Sequence, residues 1–213
     1  MVFDRDYFEG RTSYFYRFGG YRDVGSYFNR LARWFRPHAG EGAMLDVGCA
    51  YGFLLSRFDD GRLLCGCDVS EWALREARSR FPRGEFLVVD GNGTLPYADE
   101  QFAAVLCTDV LEHIAPERQG RILAEVSRIL AAGGQFCMTT PNLGRIRRWI
   151  YTRADRVERH LGMRHVSEWE EELGRHGFEI IDRWTYLNGF LPGRLRSTWL
   201  PECAIVARKA AGA

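Results

Sequence analysis

From residue 43 onward the chain alternates short apolar runs with longer segments in which apolar residues recur at helical spacing. Short β-branched or apolar runs are typical of strands that are covered on both faces of a parallel sheet. Five such runs lie before residue 140 and two lie after residue 177. The predicted strands span residues 43–48, 63–68, 85–89, 102–108, 135–139, 178–181 and 204–207.

Helical patterns separate most of these strands. Ser70 is a favourable N-cap for a helix that would bury Trp72, Leu74 and Ala77. A chain in which strands and helices alternate places its helices on both faces of a mostly parallel sheet. The pattern therefore predicts an α/β domain with a seven-stranded sheet.

Polar residues and glycines predict where the later helices begin and end. A helix with apolar residues at positions 122, 123, 126, 129 and 130 is expected to end at Gly133-Gly134, before the next strand. The segment Ser-Glu-Trp-Glu at 167–170 has the capping-box pattern, so we expect a helix to open at Ser167 and to stop near Gly177.

The first 42 residues lie outside this alternation and are predicted to form a helical and aromatic cap on a domain that spans residues 43–213. One helix of the cap should pack on the sheet, because its apolar residues share one helical face. They are Val24, Tyr27, Phe28, Leu31, Trp34 and Phe35. An earlier aromatic group has no period and is either a lid over a ligand or an irregular part of the core. It comprises Tyr7, Phe8, Tyr14, Phe15, Tyr16 and Phe18.

Composition agrees with a globular protein of ordinary size, with 213 residues, 46% hydrophobic and 27% charged. No apolar run approaches the roughly 20 residues that cross a bilayer, and the start of the chain lacks the basic and apolar parts of a signal peptide. We therefore expect a cytoplasmic protein with no transmembrane segment. A net charge of +1 gives no global attraction to nucleic acid or to anionic membranes.

The cysteines do not form a pattern of metal ligands or disulfides. None of them belongs to a Cys-x-x-Cys pair, and nearly all fall within predicted strands, so we expect reduced core residues and no metal site. They are Cys49, Cys65, Cys67, Cys107, Cys137 and Cys203.

The segment LDVGCAYG at 45–52 has the form of a strand that ends in glycine and turns directly into a helix. Such a turn brings backbone N–H groups and a helix N-terminus to the edge of the sheet where α/β folds bind ligands. Gly48 and Gly52 leave room for a ligand to approach the backbone. Proteins that bind dinucleotides use a similar turn, so this loop does not identify its ligand.

Two further features favour an adenosine-type ligand over a dinucleotide. The dinucleotide pattern G-x-G-x-x-G, placed on Gly48, requires glycine at two positions where the chain has Ala50 and Phe53. Asp68 ends the second predicted strand, twenty-two residues after Asp46, where a carboxylate can accept hydrogen bonds from both hydroxyls of a ribose.

Six segments, in this order, resemble the class I S-adenosylmethionine (SAM)-dependent methyltransferases, and within them the type 11, ubiquinone-biosynthesis-like branch. The resemblance extends from about residue 43 to residue 181 and implies the Rossmann-like sheet of that class. The segments are LDVGCAYG, GCDVS, VVDGNGTLPYADEQFAAV, VLEHI, RILAAGGQFCMTTPN and HVSEWEEELGRHGFEI.

The resemblance implies a set of residues that bind SAM and, after transfer, S-adenosylhomocysteine. Asp46 and the loop from Gly48 to Gly52 would hold the methionine end, Asp68 the ribose, and Asp90 the adenine amino group. Each of these residues has a purely structural alternative, such as a loop, turn or core role. The full set is Asp46, Gly48, Cys49, Ala50, Gly52, Asp68, Val69, Asp90, Gly91, Asn92, Cys107 and Thr108.

The chain departs from the family pattern in places. Ala50 replaces the usual middle glycine, Ala103 stands where an aspartate is expected, and the segment before Leu95 is one residue longer than is typical. These departures affect the adenine side of the site and leave the fold prediction unchanged.

Methyl transfer from a sulfonium is an in-line displacement, so the protein supplies alignment, exclusion of water and, for an acceptor that must lose a proton, a base. Histidine suits that role near neutral pH. His113, just beyond the fourth predicted strand, and His165 are the candidate bases, with His160 as an alternative to His165. The alternative for His113 is a residue at a helix start that is bonded to the backbone or to Glu112.

The connection at 141–165 would wall the acceptor site and is rich in arginine. It could bind an acidic acceptor, rest on a membrane beside a lipid-like acceptor, or be a solvated helix face. Its arginines are Arg145, Arg147, Arg148, Arg153, Arg156, Arg159 and Arg164.

Three functions follow. The favoured one is a methyltransferase that acts on a small-molecule acceptor, with oxygen as the acceptor atom. A methyltransferase that acts on RNA or protein is the second, although no basic domain or base-modifying motif indicates nucleic acid. The third is a protein that binds SAM without catalysis, as a scaffold or regulator.

Overall fold

The computed structural model describes residues 3–187 and 195–210. Its strands form one sheet in the order β3-β2-β1-β4-β5-β7-β6. All seven predicted strands are confirmed. In chain order they are β1 Met44–Val47, β2 Leu64–Asp68, β3 Glu85–Val88, β4 Phe102–Thr108, β5 Leu130–Pro141, β6 Phe178–Tyr186 and β7 Glu202–Lys209.

The sheet is mostly parallel, as predicted. β1 pairs in parallel with both β2 and β4, β2 with β3, and β4 with β5. The exception is β7, which lies between β5 and β6 and is antiparallel to both. Because β1 to β5 are parallel, their carboxyl ends share one edge of the sheet.

Helices and short 3-10 turns connect the strands. The α-helices are α1 Arg5–Phe8, α2 Gly25–Phe35, α3 Glu71–Arg80, α4 Pro116–Ile129, α5 Arg145–Ile150, α6 Thr152–Val157 and α7 Val166–Arg175. The 3-10 turns are Arg36–His38, Leu55–Phe58 and Leu111–His113.

Both faces of the sheet are covered. On one face, α4 and α7 bury apolar residues such as Leu123 and Trp169 against the central strands. On the other face, α2 packs Leu31 and Phe35 in one cluster with Met44. The predicted cap helix is therefore part of the core, and coverage of both faces explains why the strands read as apolar runs.

The predicted cap of α3 is confirmed, because the Ser70 hydroxyl accepts from the backbone N–H of Ala73 at 3.2 Å. Leu74 and Ala77 are fully buried on this helix. Trp72 is only half-buried, since it lies over the N-terminal aromatic cluster rather than over the sheet.

The prediction that Gly133-Gly134 ends a helix is wrong. Helix α4 already ends at Ile129, and both glycines lie inside β5. The pairing of β4 with β5 shifts there, from Phe102 opposite Leu130 to Ala104 opposite Gln135. Residues 131–134 of β5 lie there opposite the single residue Ala103 of β4, and Gly133 allows this irregularity with a left-handed φ of 72°.

The predicted start of α7 is also wrong by two residues. His165, not Ser167, is the N-cap: its ring accepts from the Ser167 backbone N–H, and the Glu168 carboxylate accepts from the His165 N–H at 2.6 Å. The capping box is present, but its first member is an imidazole, a ring that the usual Ser/Thr pattern does not include.

The arginine-rich connection contains α5 and α6, and its arginines have two different environments. Arg147 is 1% exposed and forms ion pairs with Asp155 at 2.5 Å and with Glu202 at 2.8 Å, which ties α5 to α6 and to β7. Arg164 lies over the ring of Trp169. The others are exposed: Arg145, Arg148, Arg153, Arg156 and Arg159.

Among the helices of residues 3–187 and 195–210, none combines the length and the apolar character that a membrane span requires.

The Arg147 ion pairs predict a large loss of stability on truncation. Arg147→Ala leaves two buried carboxylates without their partner, so we expect the free energy of unfolding to fall by about 3–5 kcal/mol. Urea denaturation followed by circular dichroism measures this. The matched control is Arg148→Ala on the exposed side of α5, which should change it by no more than about 0.5 kcal/mol. Equal effects of the two substitutions would contradict the structural role of Arg147.

Candidate functional site

A cavity of about 380 Å³ opens at the carboxyl edge of the sheet, where the chain order reverses between β1 and β4. Ligands of open α/β sheets bind at such a point, because loops from adjacent strands diverge there. One side is formed by the residues after β1, β2 and β4, and the other by the N-terminal segment.

The loop after β1 depends on glycine. Gly48 has a φ of 76°, and a Cβ there would lie 2.2 Å from the Val110 side chain, so both backbone conformation and space exclude other residues. The predicted helix after the loop is only the 3-10 turn Leu55–Phe58. Asp59, Asp60 and Gly61 end this turn, and the chain then enters β2. The loop is instead held by its own hydrogen bonds: the N–H groups of Gly48 and Cys49 donate to the Cys67 carbonyl.

Ala50 also lies in the left-handed region, with a φ of 47°. This conformation costs a residue with a Cβ roughly 1–2 kcal/mol. It directs the Ala50 N–H to the Asp68 carboxylate, at 2.9 Å. The residue that replaces the family's middle glycine thus keeps the glycine conformation and helps to position Asp68.

Asp68 is placed to bind the hydroxyls of a ribose. It lines the cavity and is 8% exposed. One carboxylate oxygen accepts from the Ser70 N–H at 2.8 Å and the other from the Ala50 N–H at 2.9 Å. Burial raises the pKa of Asp68, and these backbone hydrogen bonds oppose that change. Each oxygen keeps a lone pair for one further donor.

Asp46 is the least satisfied carboxylate of the site. It is 2% exposed, and its Oδ1 has no hydrogen-bond partner among the described residues. Burial, and then the charge of Asp68, raises the pKa of Asp46 to about 7. A buried carboxylate without a partner is costly, so this position favours a cationic group of a ligand.

Only some of the residues that are predicted to bind on the adenine side line the cavity. Val69 and Gly91 line the cavity, whereas Asp90 and Asn92 do not. Asp90 is exposed and accepts from the Asn92 backbone and side chain at 2.8 and 2.9 Å, which makes it a turn residue here. Its contact with adenine stays a prediction.

Cys107 and Thr108, which are both predicted to bind the cofactor, also separate. Thr108, at the end of β4, lines the cavity, and so does Cys49 after β1. Cys107 is 1% exposed and packs in the apolar core between the sheet and α4. Alternation along a strand explains this, because neighbouring residues point to opposite faces.

The two predicted bases differ in placement. His113 lines the cavity, as expected. His165 does not, since its ring caps α7 and its Nε2 lies 3.1 Å from the Thr198 carbonyl. Burial, and then the neighbouring His160, lowers the pKa of His113 to about 3, so its imidazole is neutral and weakly basic at pH 7.

The aromatic wall of the cavity has two parts. Some of its residues belong to the early aromatic group, for which a lid over a ligand was one of two alternatives, and the others were not assigned to the site from sequence. Tyr7 and Phe8 are buried and line the cavity, while Phe15 and Phe18 of the same group are 48% and 79% exposed. Aromatic enrichment without a helical period was the only signal for this wall. The lining residues beyond the predicted group are Phe3, Tyr21, Tyr27 and Phe28.

Known proteins are similar to this chain in sequence and in fold. A family model described as "Methyltransferase domain" matches residues 45–138, from β1 to the middle of β5. A probable SAM-dependent methyltransferase of Mycolicibacterium smegmatis is 27% identical over 162 residues, which are 65% of this chain and 62% of that protein. A probable tRNA methyltransferase 9B of Mus musculus is 35% identical over 92 residues, or 43% of this chain and 20% of that protein.

Residues 45–138 match this methyltransferase-domain family, and the fold of the chain is that of class I SAM-dependent methyltransferases. The fold agrees: a chain of the Haloferax volcanii complex that contains the Trm112 methyltransferase activator superposes with a TM-score of 0.70 at 17% identity, over 88% of this chain and 92% of that chain. This chain spans less than two thirds of the length of the two sequence relatives. Membership of the ubiquinone-biosynthesis-like branch stays a prediction.

The residues present fit SAM, the cofactor of this family. The unpartnered Oδ1 of Asp46 can accept from the amino group of the methionine end. The two oxygens of Asp68 can each accept from a ribose hydroxyl in addition to their backbone donors. SAM carries positive charge, and both carboxylates are desolvated in its absence.

The raised pKa of Asp46 predicts that cofactor affinity depends on pH. Below about pH 7 the carboxyl is protonated and cannot pair with an ammonium, so affinity for S-adenosylhomocysteine should increase from pH 6 to pH 8. Asp46→Asn should weaken binding about tenfold or more at pH 8 and should lose most of this pH dependence. Calorimetric titration at several pH values measures both.

A second readout separates binding from folding. Because the folded pKa of Asp46 lies above its unfolded value, this group makes the free protein less stable as the pH rises toward about 7. Asp46→Asn should therefore unfold at an equal or higher temperature than the unsubstituted protein at pH 8. Weaker binding together with a lower unfolding temperature would contradict this assignment.

Proposed function

We propose that the protein transfers the methyl group of SAM to a small-molecule acceptor, with oxygen as the favoured acceptor atom. The observation that carries this proposal is the single cavity that joins the SAM-binding side to the aromatic wall. A planar or apolar acceptor can pack on the aromatic rings while its reacting atom faces Thr108.

The N-terminal segment covers this cavity and is held by a buried carboxylate. Glu158, at the end of α6, accepts from the Tyr7 hydroxyl at 3.1 Å, the Ser13 hydroxyl at 2.8 Å and the Phe15 N–H at 3.1 Å. Glu158 is 1% exposed, so these bonds are shielded from water. A cover of this kind excludes water from the reacting groups, which supports transfer to a small acceptor.

SAM, when bound, supplies an activated methyl group, so the protein's task is alignment. Asp46 and Asp68 would hold the two ends of the cofactor, and the Gly48 loop would fix its depth in the cavity. Asp109, after β4, accepts from the Tyr27 hydroxyl at 2.5 Å and from the Thr139 hydroxyl at 3.0 Å. These bonds hold an aromatic ring of the acceptor side next to the strand that carries Thr108.

An acidic acceptor fits the rim of the cavity. Arg118, at the start of α4, is exposed and is the lining residue with a fixed positive charge. A guanidinium binds carboxylate or phosphate in bidentate fashion. The exposed arginines of α5 and α6 lie outside this lining and do not support direct contact with a small acceptor.

A macromolecular acceptor is the second candidate. The probable tRNA methyltransferase relative favours it, and so do the five exposed arginines of the 141–165 connection. The relative matches over only 20% of its own length, so the similarity does not extend to most of that protein. A SAM-binding protein without catalysis stays a third possibility, which the assay below tests.

The decisive experiment uses SAM with an isotopically labelled methyl group and an extract of the source cells. After incubation with the purified protein, ultrafiltration separates macromolecules from small molecules, and mass spectrometry follows the label. We expect label in the small-molecule fraction. Label confined to RNA or protein would support the second candidate, and SAM binding without any labelled product would support the third.

Two variants serve as controls for this assay. Asp68→Ala removes the ribose acceptor and should lower cofactor affinity at least tenfold, together with labelling. Arg148→Ala changes an exposed residue outside the cavity and should leave both unchanged. Unchanged labelling and affinity in Asp68→Ala would show that the cofactor does not bind as assigned.

A further inference from the structure

Three side chains with metal-binding atoms converge beside the cavity. Glu112 and His113 belong to the 3-10 turn after β4, and His160 follows α6. One ligand atom from each residue lies within 4.8 Å of the other two. The rings of His113 and His160 have centroids 4.8 Å apart and are nearly perpendicular, so this is a compact cluster rather than a chance proximity of surface groups.

His113 presents a free nitrogen lone pair. Its Nδ1 is buried and has no hydrogen-bond partner among the described residues. The ring does bond to the backbone of Glu158. A histidine nitrogen that has no hydrogen-bond partner can bind a metal ion through its lone pair.

His160 is arranged in the same way. Its side chain is 5% exposed, and its Nδ1 lies 2.9 Å from Asp155 Oδ1. Asp155 is also paired with Arg147, so it is an anion and accepts the Nδ1 proton. Asp155 thus engages Nδ1, and Nε2 is the ring nitrogen that can face a metal ion. A carboxylate behind a histidine is the usual outer partner of a metal ligand, because it orients the ring and increases its basicity.

Glu112 supplies the carboxylate ligand of the set. It is 1% exposed, and one oxygen accepts from the Thr140 hydroxyl at 3.1 Å. Burial, and then the charges of Asp109 and Glu202, raise the pKa of this carboxyl group. Several desolvated carboxylates in one region repel each other, and a bound cation would compensate them.

We propose that Glu112, His113 and His160 bind a divalent metal ion at the acceptor end of the cavity. Two neutral imidazoles and one carboxylate form the donor set of catalytic zinc sites and of related transition-metal sites with open positions. Metal–ligand bonds of about 2.0–2.2 Å place neighbouring donors roughly 3.3 Å apart. The three side chains need to approach each other by about an ångström on binding.

The site faces the reaction because His113 lines the cavity. This step rests on the proposed methyl transfer: the metal would lower the pKa of an acceptor hydroxyl, so that its proton passes to water. The oxygen would then bond to the methyl carbon as the carbon–sulfur bond of SAM breaks and S-adenosylhomocysteine leaves. The acceptor class would then be a molecule with a metal-binding oxygen, such as a phenol or a hydroxy acid. His165 does not line the cavity and His113 would itself bind the metal, so the metal would take over the activation expected of a base.

The test begins with the full chain, freed of any purification tag and stripped of metal by a chelator. Calorimetric titration with Zn²⁺ should show one ion bound per chain, and Mg²⁺ and Ca²⁺ should bind more weakly because two ligands are nitrogen. Glu112→Gln and His160→Gln should each raise the Zn²⁺ dissociation constant at least tenfold. His176→Gln, which changes a histidine on the outer face of the helix α7 end, is the matched control and should not change it.

A second measurement needs no variant. With ¹⁵N-labelled histidine, Zn²⁺ should shift the ring nitrogens of His113 and His160 in nuclear magnetic resonance spectra and leave those of the other three of the five histidines unchanged. The absence of one-to-one binding, or shifts confined to the other histidines, would overturn the proposal. Affinity for S-adenosylhomocysteine without metal reports the folding of each variant.

The two proposals can fail separately. If Zn²⁺ does not bind but labelled methyl groups still reach a small molecule, the metal site is wrong and the methyl transfer stands. If Zn²⁺ binds at these residues but no acceptor is labelled in its presence, the metal site stands and the proposed transfer fails.

Discussion

The burial of carboxylates at one edge of a parallel sheet is the constraint on which the site depends. Asp46, Asp68 and Glu112 follow or end three strands, and each is almost completely removed from water. Asp68 receives two backbone N–H donors, whereas Asp46 keeps an oxygen without a partner. Such groups raise the free energy of the unliganded protein, and binding of a positively charged ligand would lower that free energy. A positively charged ligand would therefore stabilise this edge of the sheet. Apolar burial in the rest of the chain holds the edge in place.

The loop after β1 shows how backbone geometry meets that constraint. Gly48 must be glycine, because its φ is positive and a Cβ would contact Val110. Ala50 adopts a similar left-handed conformation at some cost and thereby donates to Asp68. The loop is held without a long helix behind it, since its N–H groups donate to the Cys67 carbonyl and to Asp68. This explains how a 3-10 turn of four residues can stand where a full helix was expected.

The sheet was readable from sequence because apolar runs, capping residues and turns are local signals. The apolar pattern of the sequence predicts the buried strands and the buried face of α2. The positions of Asp46 and Asp68 near strand ends predict that their carboxylates belong to the site. The sequence-based predictions fail where contacts between residues far apart in the chain determine the local structure. The Gly133 bulge depends on pairing with β4, the His165 cap on an imidazole that bonds to Thr198, and the burial of Arg147 on acids far along the chain. The cluster of Glu112, His113 and His160 needs two segments 47 residues apart, which no local spacing reveals.

Glu158 connects the cover of the cavity to the proposed metal ligands. Its side chain accepts from Tyr7, Ser13 and Phe15 of the N-terminal segment, and its backbone bonds to the His113 ring. Two residues further along, His160 is held by Asp155, which Arg147 ties to β7. Order in the cover and orientation of both histidines thus rest on the same short stretch of chain. An acceptor that stabilises the cover would also stabilise the ligand geometry, because both changes act on the position of one helix end.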